Sequence, residues 1–164
     1  METPIVAAII SSATSLVGGS LVTHLVSRYL ERKDLQSISK DRLKSLNGRW
    51  QGVYQQDVGP SGGPTDYLTK IDFTAKKKTI TAKIEMVLTF EGTTYHISYE
   101  GKGRYVDNRF IKMEYDSAFP SVMQFGFMIL EYSSSGYSLT GRSVGFGAKT
   151  QRLISGSIDL QKII

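Results

Sequence analysis

The sequence predicts a mainly β chain: about eight antiparallel strands in a meander, closed as a barrel or packed as a sandwich, preceded by an N-terminal transmembrane helix and a helical linker. Three observations predict it. A stretch from Pro4 to Ser27 contains no Asp, Glu, Lys or Arg. The period of apolar residues then changes from near four to two at Gly48. From there onward, turn-forming clusters recur at near-regular spacing. The resulting division is 1–27 as transmembrane helix, 28–47 as juxtamembrane linker and 48–164 as β domain.

The 24 residues from Pro4 to Ser27 would span about 36 Å as a helix, at roughly 1.5 Å per residue. A hydrocarbon core of about 30 Å needs about 20 residues. Met1-Glu2-Thr3 offers no basic n-region, which argues against a secretory signal. Arg28, Arg32 and Lys33 follow at once, so the positive-inside tendency puts the C-terminal bulk in the cytoplasm. Ile5, Ile9, Ala13, Val17, Leu21 and Leu25 form an apolar ridge at four-residue spacing. Ala7, Ser11, Ser15, Gly19, Thr23 and Ser27 form a second ridge without a large side chain. Small residues at this spacing let helix backbones approach closely in lipid, so the span is expected to self-associate. Ser11, Ser15, Gly19, Thr23 and His24 are the candidates for helix packing or a pore wall. His24 is the only ionisable side chain of the span.

In the linker, Leu30, Leu35, Ile38, Leu43 and Leu46 lie among alternating charges at roughly helical spacing, with Asn47-Gly48 as a stop. Its basic residues suit anionic headgroups, and a solvated face explains them equally well.

Strands are expected at 49–56, 65–73, 79–90, 93–101, 103–115, 121–133, 136–145 and 151–161. The clearest is Thr79–Phe90, where Ile80, Ala82, Ile84, Met86, Leu88 and Phe90 alternate with polar residues. Tyr95, Ile97 and Tyr99 share one face, as do Tyr67, Ile71 and Phe73. Between the strands stand GPSGGP, AKKK, EG, SSSG and GFGAK. Closing the sheet would remove its exposed edges.

The chain has no Cys, which removes disulfides, thiol nucleophiles and thiolate metal sites. Its two histidines lie in different regions, and no Gly-x-Ser-x-Gly elbow, phosphate loop or His-Glu-x-x-His motif occurs. No enzyme activity, cofactor or metal is expected. The net charge of +5 suits an anionic partner or a mildly basic solvated surface. Arg104, Arg109, Arg142, Lys149 and Arg152 cluster in the last third with Tyr105 among them, a mix that can grip phosphates and stack on bases. These six are the candidate ligand-binding residues. The competing assignment makes the aromatics core and the arginines solvent-facing.

The β domain opens NGRWQGVY, and Gly48-Arg49-Trp50 resembles the first strand of lipocalin-like barrels, in which the Trp plugs one end. Trp50 is the only Trp of the chain. With the N-terminal span and basic juxtamembrane stretch, the layout resembles membrane-bound β-barrel effectors of bacterial nucleotide-signalling anti-phage defence. Two groups compete: the CBASS transmembrane β-barrel effectors, which typically carry two membrane helices where this chain has one, and the Hailong-type single-helix channel effectors. The resemblance implies a homo-oligomer in the bacterial inner membrane, single-pass, with its N-terminus outside and its barrel cytoplasmic. It implies gating by a nucleotide or short oligonucleotide from a partner nucleotidyltransferase, with the membrane, and its lipid, compromised on opening. The alternative is a membrane-anchored lipocalin-like module for an apolar ligand or a protein partner.

Overall fold

The computed structural model describes residues 40–59, 61–76, 79–107, 109–147 and 150–164. The expected membrane span, its candidates Ser11, Ser15, Gly19, Thr23 and His24, and the linker up to Ser39 lie outside the described residues, as does Lys149. Among the described residues no helix is long and apolar enough to cross a membrane.

One short helix, α1 (Lys40–Leu46), leads into eight strands: β1 (Gly48–Gln56), β2 (Thr65–Lys76), β3 (Thr79–Phe90), β4 (Thr93–Val106), β5 (Phe110–Ser117), β6 (Phe125–Tyr132), β7 (Ser138–Gly147) and β8 (Arg152–Lys162). Each pairs antiparallel with the next, and β8 returns to β1, so the sheet is a closed barrel in sequence order. Closure leaves no strand edge unpaired.

The period-two pattern produces the barrel directly. Along β2, Tyr67, Thr69, Ile71, Phe73 and Ala75 are buried while each neighbour is exposed or half-exposed. Successive side chains of a strand point to opposite faces, so one set fills the interior and the other meets solvent. The β3–β4 hairpin turns on Glu91 and Gly92, with φ of 49° and 76°. Positive φ at both central positions matches the right-handed twist of the flanking strands.

The largest differences from the expected boundaries fall at two places. β4 continues through Gly101-Lys102-Gly103 to Val106, and the chain turns at Asp107, whose φ is 51°. The expected strands divided at 101–103, but at Gly103 a Cβ would press on the Lys112 carbonyl and Met113, so the glycine admits a close strand. Residues 121–124 precede β6 instead of belonging to it.

One end of the barrel is sealed. Trp50 is fully buried, edge-on to Phe73 at 6.4 Å and to Tyr132 at 5.9 Å between ring centroids. Leu46 of α1 is buried with it. A helix leaves its last carbonyls without intrahelical donors, and here barrel side chains supply them. Trp50 Nε1 donates to Leu46 O at 2.8 Å, Tyr105 Oη donates to Arg42 O at 3.3 Å, and Lys162 Nζ donates to Ser45 O. Tyr132 Oη donates to Ser45 Oγ at 2.7 Å, and Asn47 Oδ1 accepts from Ala75 N at 2.5 Å. The lysine ammonium also suits the negative end of the helix dipole. Five strands thus hold the last turn of α1 and Asn47.

Candidate functional site: a tyrosine-lined chamber at the open end

The opposite end is ringed by the connections β1–β2, β3–β4, β5–β6 and β7–β8. Beneath them lies a chamber of about 50 Å³, lined by Tyr54, Tyr67, Tyr99 and Tyr115, by Gln56, Thr69, Gln124 and Ser143, and by aliphatic residues including Ile71, Ile84, Met128 and Ile158. Above it lies a mouth of about 440 Å³, lined by Leu88, Phe90, Tyr95, His96 and Val122 among others. Gln56, Tyr67, Ile97, Gln124 and Ile154 border both spaces and form the neck between them.

Glycines on neighbouring strands make room for the tyrosine rings. A Cβ on Gly126 would collide with the Tyr115 phenol, and one on Gly145 would meet its oxygen at 2.6 Å. A Cβ on Gly156 would strike the Tyr54 ring. The rings pack in pairs, Tyr54 with Tyr67 at 5.7 Å and Tyr99 with Tyr115 edge-to-face at 5.2 Å.

The polar groups are organised around these rings. Tyr67 Oη donates to Gln56 Oε1 at 3.1 Å, and Gln56 Nε2 donates to Val58 O at 2.6 Å. Gln124 Nε2 donates to Tyr99 Oη at 2.6 Å. Ser143 lines the chamber with Tyr54 and Tyr115. Burial raises the Tyr54, Tyr67 and Tyr99 phenols above the usual value and pushes Tyr115 up to about 12. A phenol kept neutral by desolvation marks a space hostile to negative charge. Among the described residues, no Lys, Arg, Asp or Glu lines the chamber. None of them forms a cluster of three or more His, Cys, Asp or Glu suited to a metal.

The basic residues expected to bind a ligand are placed elsewhere. Arg104 lies exposed on β4, Arg109 in the β4–β5 turn, Arg142 on the outer wall of β7 and Arg152 at the start of β8. Arg109 pairs with Glu131, and Arg142 with Asp57 at 2.7 Å. Tyr105 is in the sealed-end core at 2% exposure. The structure therefore does not gather these five residues into one site. The chamber's own polar residues, Gln56, Gln124 and Ser143, were missed from sequence. For Gln56 and Ser143 the available signal was a polar side chain at an inward strand position near the open end.

The chain matches no protein-family model and no curated protein sequence. Its structure is similar to a solved structure described as EF1p2_mFAP2b bound to DFHBI. The match has a TM-score of 0.60 at 14% identity and covers 76% of this chain and all of the other. The fold is shared. At that identity the likeness extends to the barrel alone.

Proposed function

We propose that the barrel is a binding module that takes a small, neutral, largely apolar ligand through its open end, and that residues 1–27 anchor it in a membrane. The supporting observation is the continuous path from an exposed mouth to a buried chamber, lined mostly by aliphatic and aromatic side chains with a few polar groups. Ligand pockets have this composition, and about 300 to 1,000 Å³ is their usual size. The barrel in the similar solved structure is described as bound to a small molecule, DFHBI, which agrees with the same use of this fold.

The test is calorimetric titration of the purified full chain with 4-phenylbutan-1-ol, a neutral probe with an apolar body. Binding is expected, and Ile97→Trp, which plugs the neck, should abolish it while the circular dichroism stays unchanged. Equal binding by wild type and Ile97→Trp would contradict the proposal.

A gated effector is the second reading, favoured by the way five strands grip the last turn of α1 and Asn47. A ligand that binds two barrel conformations with different affinity would shift the linker with them. In this reading the chain is a homo-oligomer of the bacterial inner membrane with a cytoplasmic barrel. A nucleotide or oligonucleotide signal would keep its phosphates outside the uncharged chamber. Ligand-dependent ion flux in liposomes holding the full chain tests it; flux unaltered by any candidate ligand counts against it.

A further inference from the structure

The neck carries a more specific demand than apolar volume. Tyr99 is 6% exposed, and its oxygen accepts from Gln124 Nε2. No described residue accepts its own proton in return, and no described donor serves Gln124 Oε1. A phenol has one proton to donate besides its acceptor capacity, and a primary amide has one acceptor and two donors. Where the chamber meets the neck, an unmatched O–H donor on Tyr99 therefore lies beside an unmatched amide carbonyl and N–H on Gln124. Tyr99 is buried and Gln124 half-buried, so a partner that completes both contacts is selected over one that leaves the Tyr99 hydroxyl unpaired.

We propose that the ligand carries an uncharged carboxamide or lactam edge, held at the neck by Tyr99 and Gln124, with its apolar body in the mouth. This inference rests on the barrel's reading as a small-ligand module. The ligand carbonyl accepts from Tyr99 Oη, and the ligand N–H donates to Gln124 Oε1. The match survives rotation of the Gln124 amide by half a turn: the ligand carbonyl then accepts from Gln124 Nε2, and its N–H donates to Tyr99 Oη. A carboxylate has no donor for the second contact and carries a charge that no described cation lining the chamber offsets. An ammonium has no acceptor for the Tyr99 proton. An alcohol has one oxygen where two atoms are needed.

Volume fixes the orientation. An apolar cavity of roughly 150 Å³ holds a benzene ring, so the chamber of about 50 Å³ is too small for one. The mouth of about 440 Å³ is large enough, between Leu88, Phe90 and Val122. The ring therefore stays outside the neck and the narrow polar end reaches it.

The experiment titrates four probes of equal length into the purified full chain: 4-phenylbutanamide, 4-phenylbutan-1-ol, 4-phenylbutanoate and 4-phenylbutan-1-amine. The amide is expected to bind about tenfold more tightly than any of the others. Tyr99→Phe should reduce that preference to about twofold or less, with an unchanged circular dichroism spectrum showing that the variant is folded. Gln124→Met should do the same through the other partner. Alcohol bound as tightly as amide, with both variants silent, would overturn the amide assignment and leave the pocket standing. Tighter binding of the carboxylate or the amine would also overturn it. Binding of none of the four would overturn the pocket reading together with this one.

Discussion

The Trp50 indole donates to the carbonyl of Leu46 at 2.8 Å, inside a cluster where both residues are fully buried. The first strand of the barrel thereby caps the helix that precedes it. Trp50→Phe keeps much of the packing but leaves the Leu46 carbonyl without its donor. A buried unsatisfied acceptor costs about 1–3 kcal/mol, and truncation of a buried aromatic to Ala about 3–5 kcal/mol. Chemical denaturation of the full chain should order the variants wild type, Trp50→Phe, Trp50→Ala.

Gly126→Ala places a methyl group where the Tyr115 phenol lies. Overpacking of this kind costs about 1–3 kcal/mol. Combining it with Tyr115→Leu removes the clash with the ring and leaves only that with the Val144 carbonyl, so the double variant should lose less than the sum of the singles by at least about 0.5 kcal/mol. Strict additivity in denaturant titrations would mean that the glycine and the ring do not compete for space.

Alkaline pH should unfold the barrel through its phenols. The Tyr115 phenol, ordinarily near 10, is raised by burial to about 12 in the fold. The unfolded chain releases this proton near pH 10, whereas the folded chain retains it. The contribution is therefore intact below pH 10 and lost as pH rises to about 12. Two units correspond to about 3 kcal/mol for this group. Tyr54, Tyr67, Tyr99 and Tyr105 shift in the same direction for the same first cause. Tyrosinate absorbance followed together with circular dichroism should show ionisation and unfolding in one transition. Ionisation of every tyrosine near pH 10 with the fold intact would contradict the burial argument.

Arg109 and Arg142 each pair with a carboxylate while 64% exposed. Exposed pairs contribute roughly 0–1 kcal/mol because water and salt screen them. Arg109→Ala and Arg142→Ala should each change stability by less than about 1 kcal/mol, and neither should alter binding of a neutral probe. A large loss of probe affinity on either substitution would return the site to the outer wall.

The barrel was legible because its information is periodic. Thr79–Phe90 alternates over its whole length, and a strand with one buried face needs little more than that pattern. The Trp50 plug was legible from a single large aromatic beside a glycine. The β4–β5 turn was not: the expected strands divided at 101–103, where glycines admit Met113 and the neighbouring strand backbone. The chamber was half legible. Alternation put Tyr67 and Tyr99 on inward faces with the core, but Gln124 reaches the neck from a loop, where periodicity is silent. The arginines lie near one another in sequence but are not brought together in the barrel, where alternate residues face opposite ways and each strand reverses direction.

The most direct measurement is a map of amide chemical-shift changes in the full chain on adding 4-phenylbutan-1-ol. The largest changes are expected at Tyr67, Ile97, Gln124 and Ile154 of the neck and at Tyr99 just inside it, with Trp50 and the sealed end unmoved. Changes centred on Arg104, Arg109 and Arg142, or scattered over the outer wall, would contradict it.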